Sequence, residues 1–326
     1  MMPHRPILAL AFVFALSPMA APAQTDSWPS GPVQVVVPFG AGGGTTDPLA
    51  RIVAEELGKQ FGVGFVVANK PGANGNLGAV FVKRSAPNGQ TLLFTGAGTL
   101  ATNPAMYKDP GFDTKADFEP VVVIASVANI LVVNPSIPAT TVKEFVAYLN
   151  KYPDKLSFGS TGNGSSMHTA GELFRQKTST SMVHVPYNSA GAATTDLISG
   201  NIQAMFQLVP GISGFIANKK VTALAVMSPR RSATVPDVPT MAEAGFPSLV
   251  SYTWLCLMAP KGTPKPVIDR LNEGVNKLLA QPAFRARLAA MGVEPMGGTP
   301  AEFSAFLDAE ISKWGDVVKS ANIAVQ

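Results

Sequence analysis

The chain has 326 residues, 46% of them hydrophobic and 14% charged, with 25 Lys and Arg against 21 Asp and Glu. So long and apolar a chain can build its core without cross-links, and it has to, because Cys256 is the only cysteine and no intramolecular disulfide can form. The cations are scattered and not gathered into a stripe, which excludes nucleic acid as a partner.

The opening stretch MMPHRPILALAFVFALSPMAAPAQ reads as a secretory signal peptide over residues 1–23: a basic start at Arg5, an apolar run from Ile7 to Leu16, and small residues ending at Ala23. Cleavage there removes Arg5, leaving one cation fewer than the 25 and a formal net charge of +3. The run is too short for a stable anchor, and no later segment offers ~20 uninterrupted apolar residues. A soluble, secreted mature chain is expected.

Strand-like apolar runs then follow in order: VQVVVPF, GFVVANK, TLLFTG, FEPVVVIASVANILVVNP, KLSFGS, MVHVPY, IQAMFQLV, VTALAVMS and YTWLCLMAP. Helical patterns alternate with them, which predicts an α/β fold with a largely parallel sheet. Thr141 and Glu144 form a capping box before Phe145, Val146 and Leu149, and Thr299 and Glu302 repeat it before Phe303, Phe306, Leu307, Ile311 and Trp314. A further helix starts near Pro264, turns Val267, Ile268, Leu271, Val275 and Leu278 inward, and ends at the Gln281-Pro282 break.

The mature length exceeds what one core usually supports, so two lobes are expected. The candidate crossings are the long double strand Val121 to Val133 and the run Tyr252 to Pro260. Two crossings build one lobe from both chain ends, residues 24–126 plus 254–326, and the other from residues 127–253. Such a pair can hinge and close over a ligand.

The loops after the strands are small, glycine-rich and rich in hydroxyls: FGAGGGTTD, NKPGANGN, TGAGTLATNP, GSTGNGSSMH, VPYNSAGA and FQLVPG. In open α/β sheets this edge is where ligands bind. In VVVPFGAGGGTTDPLAR a strand, a glycine knot and a helix start point backbone N–H groups at an anion. A nucleotide does not fit, since no Lys lies between Gly40 and Asp47 and the sixth position of GAGGGT is Thr45, not Gly. An enzyme does not fit either. Past the leader only His168 and His184 remain, no HExxH, CxxC or Gly-x-Ser-x-Gly motif occurs, and Ser165 near His168 lacks an orienting acid and an oxyanion partner.

The segments PFGAGGGTTDPLAR, ANKPGANGNLGA, GSTGNGSSMHTAGELF, HVPY, LAVMSPRRSATVPDVPTMAEAGFP and MAPKGTP, in this order over essentially the whole mature chain, resemble the Bug-type (TctC-like) solute receptors of tripartite tricarboxylate transporters. The resemblance implies a two-lobed periplasmic binding protein with two Rossmann-like lobes joined by two crossing strands. It also implies a small carboxylate as ligand, met largely by the first strand-to-helix loop and partly through water, and delivery to membrane permease subunits. No cofactor or metal is implied, and a monomer is expected. An input protein for a membrane signalling kinase would read the same closed surface, and a hydrolase is the remote alternative. The chain departs from the family at Asn188-Ser189, where Lys or Arg then Gly is common, and at Gln207, where Asp is common.

The candidate ligand-binding residues are Phe39, Gly40, Gly42, Gly43, Thr45, Asp47, Asn74, Gly98, Ser160, Thr161, Asn163, Ser165, His168, Tyr187 and Gln207. Several have structural readings beside that one. Asp47 before Pro48 suits a helix N-cap, Asn74 in PGANG suits a left-handed turn, and one of Ser165 and Ser166 caps the next helix. His168 reads as packed one turn into that helix, His184 as structural within a strand, and Tyr187 as closing over the solute.

Overall fold

A computed structural model of the chain describes residues 28–41, 45–187 and 189–323. The leader, Gly42, Gly43 and Asn188 therefore lie outside the described residues. The strands are β1 Val33–Val37, β2 Phe65–Asn69, β3 Thr91–Gly96, β4 Phe118–Val133, β5 Ser157–Ser160, β6 Val183–Pro186, β7 Ala204–Leu208, β8 Thr222–Val226, β9 Tyr252–Pro260 and β10 Glu294–Gly297. The helices are α1 Thr46–Phe61, α2 Asn76–Lys83, α3 Asn103–Met106, α4 Val142–Lys151, α5 Ser166–Thr178, α6 Ala190–Ser199, α7 Val209–Ala217, α8 Lys265–Ala280, α9 Pro282–Ala290 and α10 Pro300–Ser320.

Every apolar run read from the sequence carries a strand. The predicted double strand is one continuous strand, β4, and it is the spine of the molecule. Val121 to Ala125 and Val127 to Val133 are all buried, as expected of a strand covered on both faces. Its first part pairs with β9, from Phe118 opposite Pro260 to Ala128 opposite Tyr252, and with β10 on the other side. From Asn129 onward it pairs with β7 and β8 instead. The strand order β2-β1-β3-β9-β4-β7-β5-β6 thus divides at β4 into two lobes.

The sheet is mixed, where the sequence predicts a largely parallel one. Pairs within β1–β3 and within β5–β7 are parallel, but every pair involving β4 or β9 is antiparallel. The cause is the crossing itself: β4 and β9 carry the chain between lobes in opposite directions, so neither returns through a helix to run beside its neighbour in parallel.

Both capping boxes form, with the Glu144 N–H donating to Thr141 Oγ1 at 3.2 Å and the Glu302 N–H to Thr299 Oγ1 at 3.2 Å. One hydrophobic cluster joins the lobes, setting Trp254, Phe303 and Trp314 together with Phe145, Phe158 and Phe206. Cys256 is a free, fully buried thiol on β9, and burial pushes its pKa well up.

Candidate functional site

The first loop is anchored by an ion pair between a buried carboxylate and a half-exposed cation. The structure corrects the N-cap reading of Asp47: Thr46 is already helical, Thr45 holds the N-cap position without a side-chain cap bond, and Asp47 falls inside the first turn. Its carboxylate turns inward at 1% exposure, where Arg51 Nε donates to Oδ2 at 2.9 Å and Asn69 Nδ2 to Oδ1 at 2.7 Å. Asn69 Nδ2 also donates to the Phe39 carbonyl at 2.9 Å. A cation one helical turn on and an amide on β2 outcompete the backbone donors that a cap would serve, so Asp47 ties α1, β2 and the Phe39 end of the loop together.

The second loop turns at Asn74, with φ 52° and ψ 36°. Its Nδ2 donates to Asn103 Oδ1 at 2.8 Å, while its carbonyl accepts from Asn103 Nδ2 at 2.9 Å. The following Gly75, at φ +96°, leaves no room for a Cβ, which would stand 2.4 Å from Thr99 Oγ1. This fixes the second loop against the third, whose residues Gly98–Thr102 form a wide π turn after β3.

In the other lobe Ser165 caps α5, accepting from the His168 N–H at 3.3 Å. His168 Nδ1 accepts from the Gly164 N–H at 3.0 Å, and its ring stacks on His184 with centroids 3.8 Å apart. His184 Nε2 meets Ser160 Oγ at 2.6 Å, and Ser160 Oγ also accepts from the Gly162 N–H. Burial first, then the neighbouring His184 ring and the Arg175 charge, hold the His168 pKa down at about 3. Burial and then Arg175 hold His184 at about 4. Both rings are neutral scaffolding beneath the loop, and Ser160 is fully buried among its own partners. Tyr187 donates its hydroxyl to Asp196 Oδ2 at 2.8 Å, and burial followed by that bond pushes its pKa up to about 12. Gln207 is 1% exposed, with Oε1 accepting from the Leu208 N–H.

Between the lobes lies a cavity of about 140 Å³. The first lobe supplies Phe39, Thr46, Asn74, Gly96, Ala97, Gly98, Thr99 and Thr102; the second supplies Gly164, Ser165, Ser166 and Thr169; Tyr252, Thr253, Leu255 and Trp314 complete the wall. None of these described lining residues is Lys, Arg, His, Asp or Glu. Thr46 opens α1 and Ser166 opens α5, so two helix N-termini face the space from opposite lobes. Among the described residues the hydroxyls of Thr46, Thr102, Ser166 and Thr253 make no protein hydrogen bond, and Ser165, which accepts the cap bond, keeps its own proton to donate.

Of the candidates, Phe39, Asn74, Gly98 and Ser165 line this cavity. Gly40, Thr45, Asp47, Ser160, Thr161, Asn163, His168, Tyr187 and Gln207 are not among its lining residues, and Gly42 and Gly43 lie outside the described residues. Sequence reasoning passed over Thr46, Thr102, Thr253 and Trp314. A crossing strand necessarily starts at the interlobe space, which was signal enough for Thr253; Trp314 reads only as one more inward residue of an amphipathic helix.

Comparison with known proteins gives a consistent picture. A family model described as TctC, Tripartite tricarboxylate transporter family receptor, matches residues 49–323. Protein BugT of Bordetella pertussis (strain Tohama I) is 34% identical over 315 residues, covering 96% of each chain. The solved structure of R. palustris Rpa4515 with adipate superposes with a TM-score of 0.79 at 35% identity, covering 91% of this chain and 99% of that one. MatC (Rpa3494) from Rhodopseudomonas palustris with bound malate gives a TM-score of 0.74 at 32% identity, covering 89% of this chain and 100% of that one.

Proposed function

The chain belongs to the tripartite tricarboxylate transporter receptor family, TctC, whose members are solute-binding receptors and not enzymes, and from that premise we propose that it captures a small carboxylate between its lobes in the periplasm and delivers it to a tripartite-type permease. The observation that carries this reading is the interlobe cavity, with helix N-termini on both sides and no charged side chain in its described wall. The solved relatives hold adipate and malate, which supports a carboxylate here. No helix among the described residues is long and apolar enough to cross a membrane.

Capture proceeds by closure. Lobe one, residues 24–126 plus 254–326, offers Thr46, Asn74 and the start of α1; lobe two, residues 127–253, offers Ser165, Ser166 and the start of α5. A single chain carries both sides, so a monomer suffices. Each hydrogen bond to a charged acceptor is worth about 1.5–3 kcal/mol, and micromolar binding needs about 8 kcal/mol in all. Four or five such contacts sum to about 6–15 kcal/mol gross, so contacts in the upper part of that range leave a margin against the ordering and desolvation that binding costs.

The solute carries no ammonium group in this reading. A desolvated ammonium needs an anionic partner. Asp47 is held by Arg51 and Asn69, and Gln207, where the resemblance leads one to look for Asp, is a buried amide.

The test is titration calorimetry on refolded, ligand-free protein with matched pairs such as succinate and aspartate. Succinate is expected to bind and aspartate to bind at least tenfold more weakly, roughly 1.4 kcal/mol. The double variant Thr46→Val with Ser166→Ala should lower succinate affinity by more than that while leaving the melting temperature in place. Absence of binding by every carboxylate tried would overturn the function, and tighter binding of aspartate would overturn the charge argument alone.

A further inference from the structure

Part of the cavity wall, the Trp314 ring with Leu255, is hydrocarbon, and the ring is fixed from behind by a buried carboxylate. Trp314 on α10 lines the space beside Leu255 and Tyr252. Its indole N–H is turned away, donating to Glu310 Oε2 at 2.8 Å. Trp254 Nε1 donates to the same oxygen at 2.9 Å, and Lys313 Nζ donates to Oε1. Glu310 is 5% exposed, and the Lys313 ammonium sits 4.5 Å from the Trp314 ring centroid and 5.7 Å from that of Tyr252. With its one polar atom spent on Glu310, Trp314 offers the cavity only carbon.

We propose that Trp314 determines the class of solute: a carboxylate with an apolar aliphatic or aromatic body, selected over hydroxylated carboxylates. Glu310 is the positioning residue that holds the indole there. The proposal rests on the carboxylate-receptor reading and narrows it. A solute hydroxyl laid on the Trp314 ring and the Leu255 side chain meets only carbon on that face and has to reach past it to the hydroxyls of Tyr252, Thr253 or Ser166 for a partner, whereas a methylene chain or ring would exclude water from the same surface. The cavity of about 140 Å³ fits a body of this modest size, well below the roughly 300–1,000 Å³ of drug-sized pockets.

The experiment is calorimetry on the refolded full chain with benzoate and hexanoate against malate and citrate. On the unmodified protein, benzoate or hexanoate should bind at least about tenfold tighter than malate. Trp314→Leu should weaken benzoate by roughly tenfold or more with little change for malate, because the loss falls on the apolar body and not on the carboxylate. Glu310→Leu should erode the benzoate-to-malate ratio, and Glu310→Gln, whose amide oxygen still accepts from an indole, should restore it. Should Glu310→Leu fail to fold, the unmodified protein, Trp314→Leu and Glu310→Gln decide the matter. Malate or citrate binding tighter than benzoate and hexanoate overturns the proposal while leaving a carboxylate receptor standing. Equal losses for both classes in Trp314→Leu also overturn it; no binding by any of the four overturns it alone if succinate still binds, and together with the function it rests on if succinate does not.

Discussion

At Gly164 the backbone stands at φ +73°, and an added Cβ would lie 2.1 Å from the Sδ of Met106, which belongs to the opposite lobe. Gly164→Ala therefore meets two penalties, a left-handed conformation that costs about 1–2 kcal/mol and displacement of an interlobe contact. Urea melts should show a loss of that size, and calorimetry should show weaker solute binding, since Gly164 and Ser165 line the cavity. A variant that matches the parent in both would mean that Met106 gives way freely. The Asp47 carboxylate invites a second test. Arg51→Met leaves it buried with its amide partner Asn69 but without the cation. Because the Arg51 side chain is 50% exposed, the loss should be about 1–2 kcal/mol and not the full cost of a buried pair. Adding Asp47→Asn should recover part of it, and failure to recover any would show that the ion pair is not the source.

Among the elements, the ones written in local chemistry were legible. Thr141 with Glu144 and Thr299 with Glu302 announced α4 and α10, and nine apolar runs announced β1 to β9. The short strand β10, Glu294–Gly297, has no apolar run and exists only because the edge of β4 is there to pair with. The start of α1 was misplaced because Asp47-Pro48 satisfies the local rules for a cap, while the residues that draw the carboxylate inward, Arg51 and Asn69, act through the fold. For the same reason the sequence named some of the loops that line the cavity, those of Phe39, Asn74, Gly98 and Ser165, and missed much of the wall: Thr253 and Trp314 come from the far end of the chain. The α10 box separates stability from binding. Thr299→Ala should cost about 1 kcal/mol of stability and leave solute affinity unchanged, because Thr299 is remote from the cavity wall; a fall in affinity would tie the start of α10 to the position of Trp314.

For the molecule as a whole, the stacked His168 and His184 predict how stability responds to acid. Folded, their pKa values lie at about 3 and about 4 against an ordinary 6.5. Between those limits the unfolded chain holds more protons than the folded one, so stability is full above 6.5 and falls as the pH drops through this window. Carboxylates such as Glu144 and Glu302, whose pKa values lie below the ordinary 4.5, add to the loss only near and below that value. Denaturant melts between pH 6.5 and 5 should therefore isolate the imidazoles. His184→Phe should flatten the slope there, and an unchanged slope would assign it to other groups.

The division of β4 between the lobes also sets an order of assembly. In a chain that emerges from its N-terminus, β3 waits with an open edge, because its neighbour β9 is made only after the entire second lobe. Strands β5, β6 and β7 lie close together in the chain and need only the end of β4 to complete their half. Short-range pairing closes faster than long-range pairing, so the inserted lobe should acquire its structure first and serve as the template on which the two outer segments meet. Pulse-labelling hydrogen exchange during refolding would show amides of β5 to β7 protected before those of β3. The late half is also the one that brings Trp314 and the crossing strand to the solute, so a chain halted before β9 would hold a folded lobe with half a cavity wall and no means of retaining cargo.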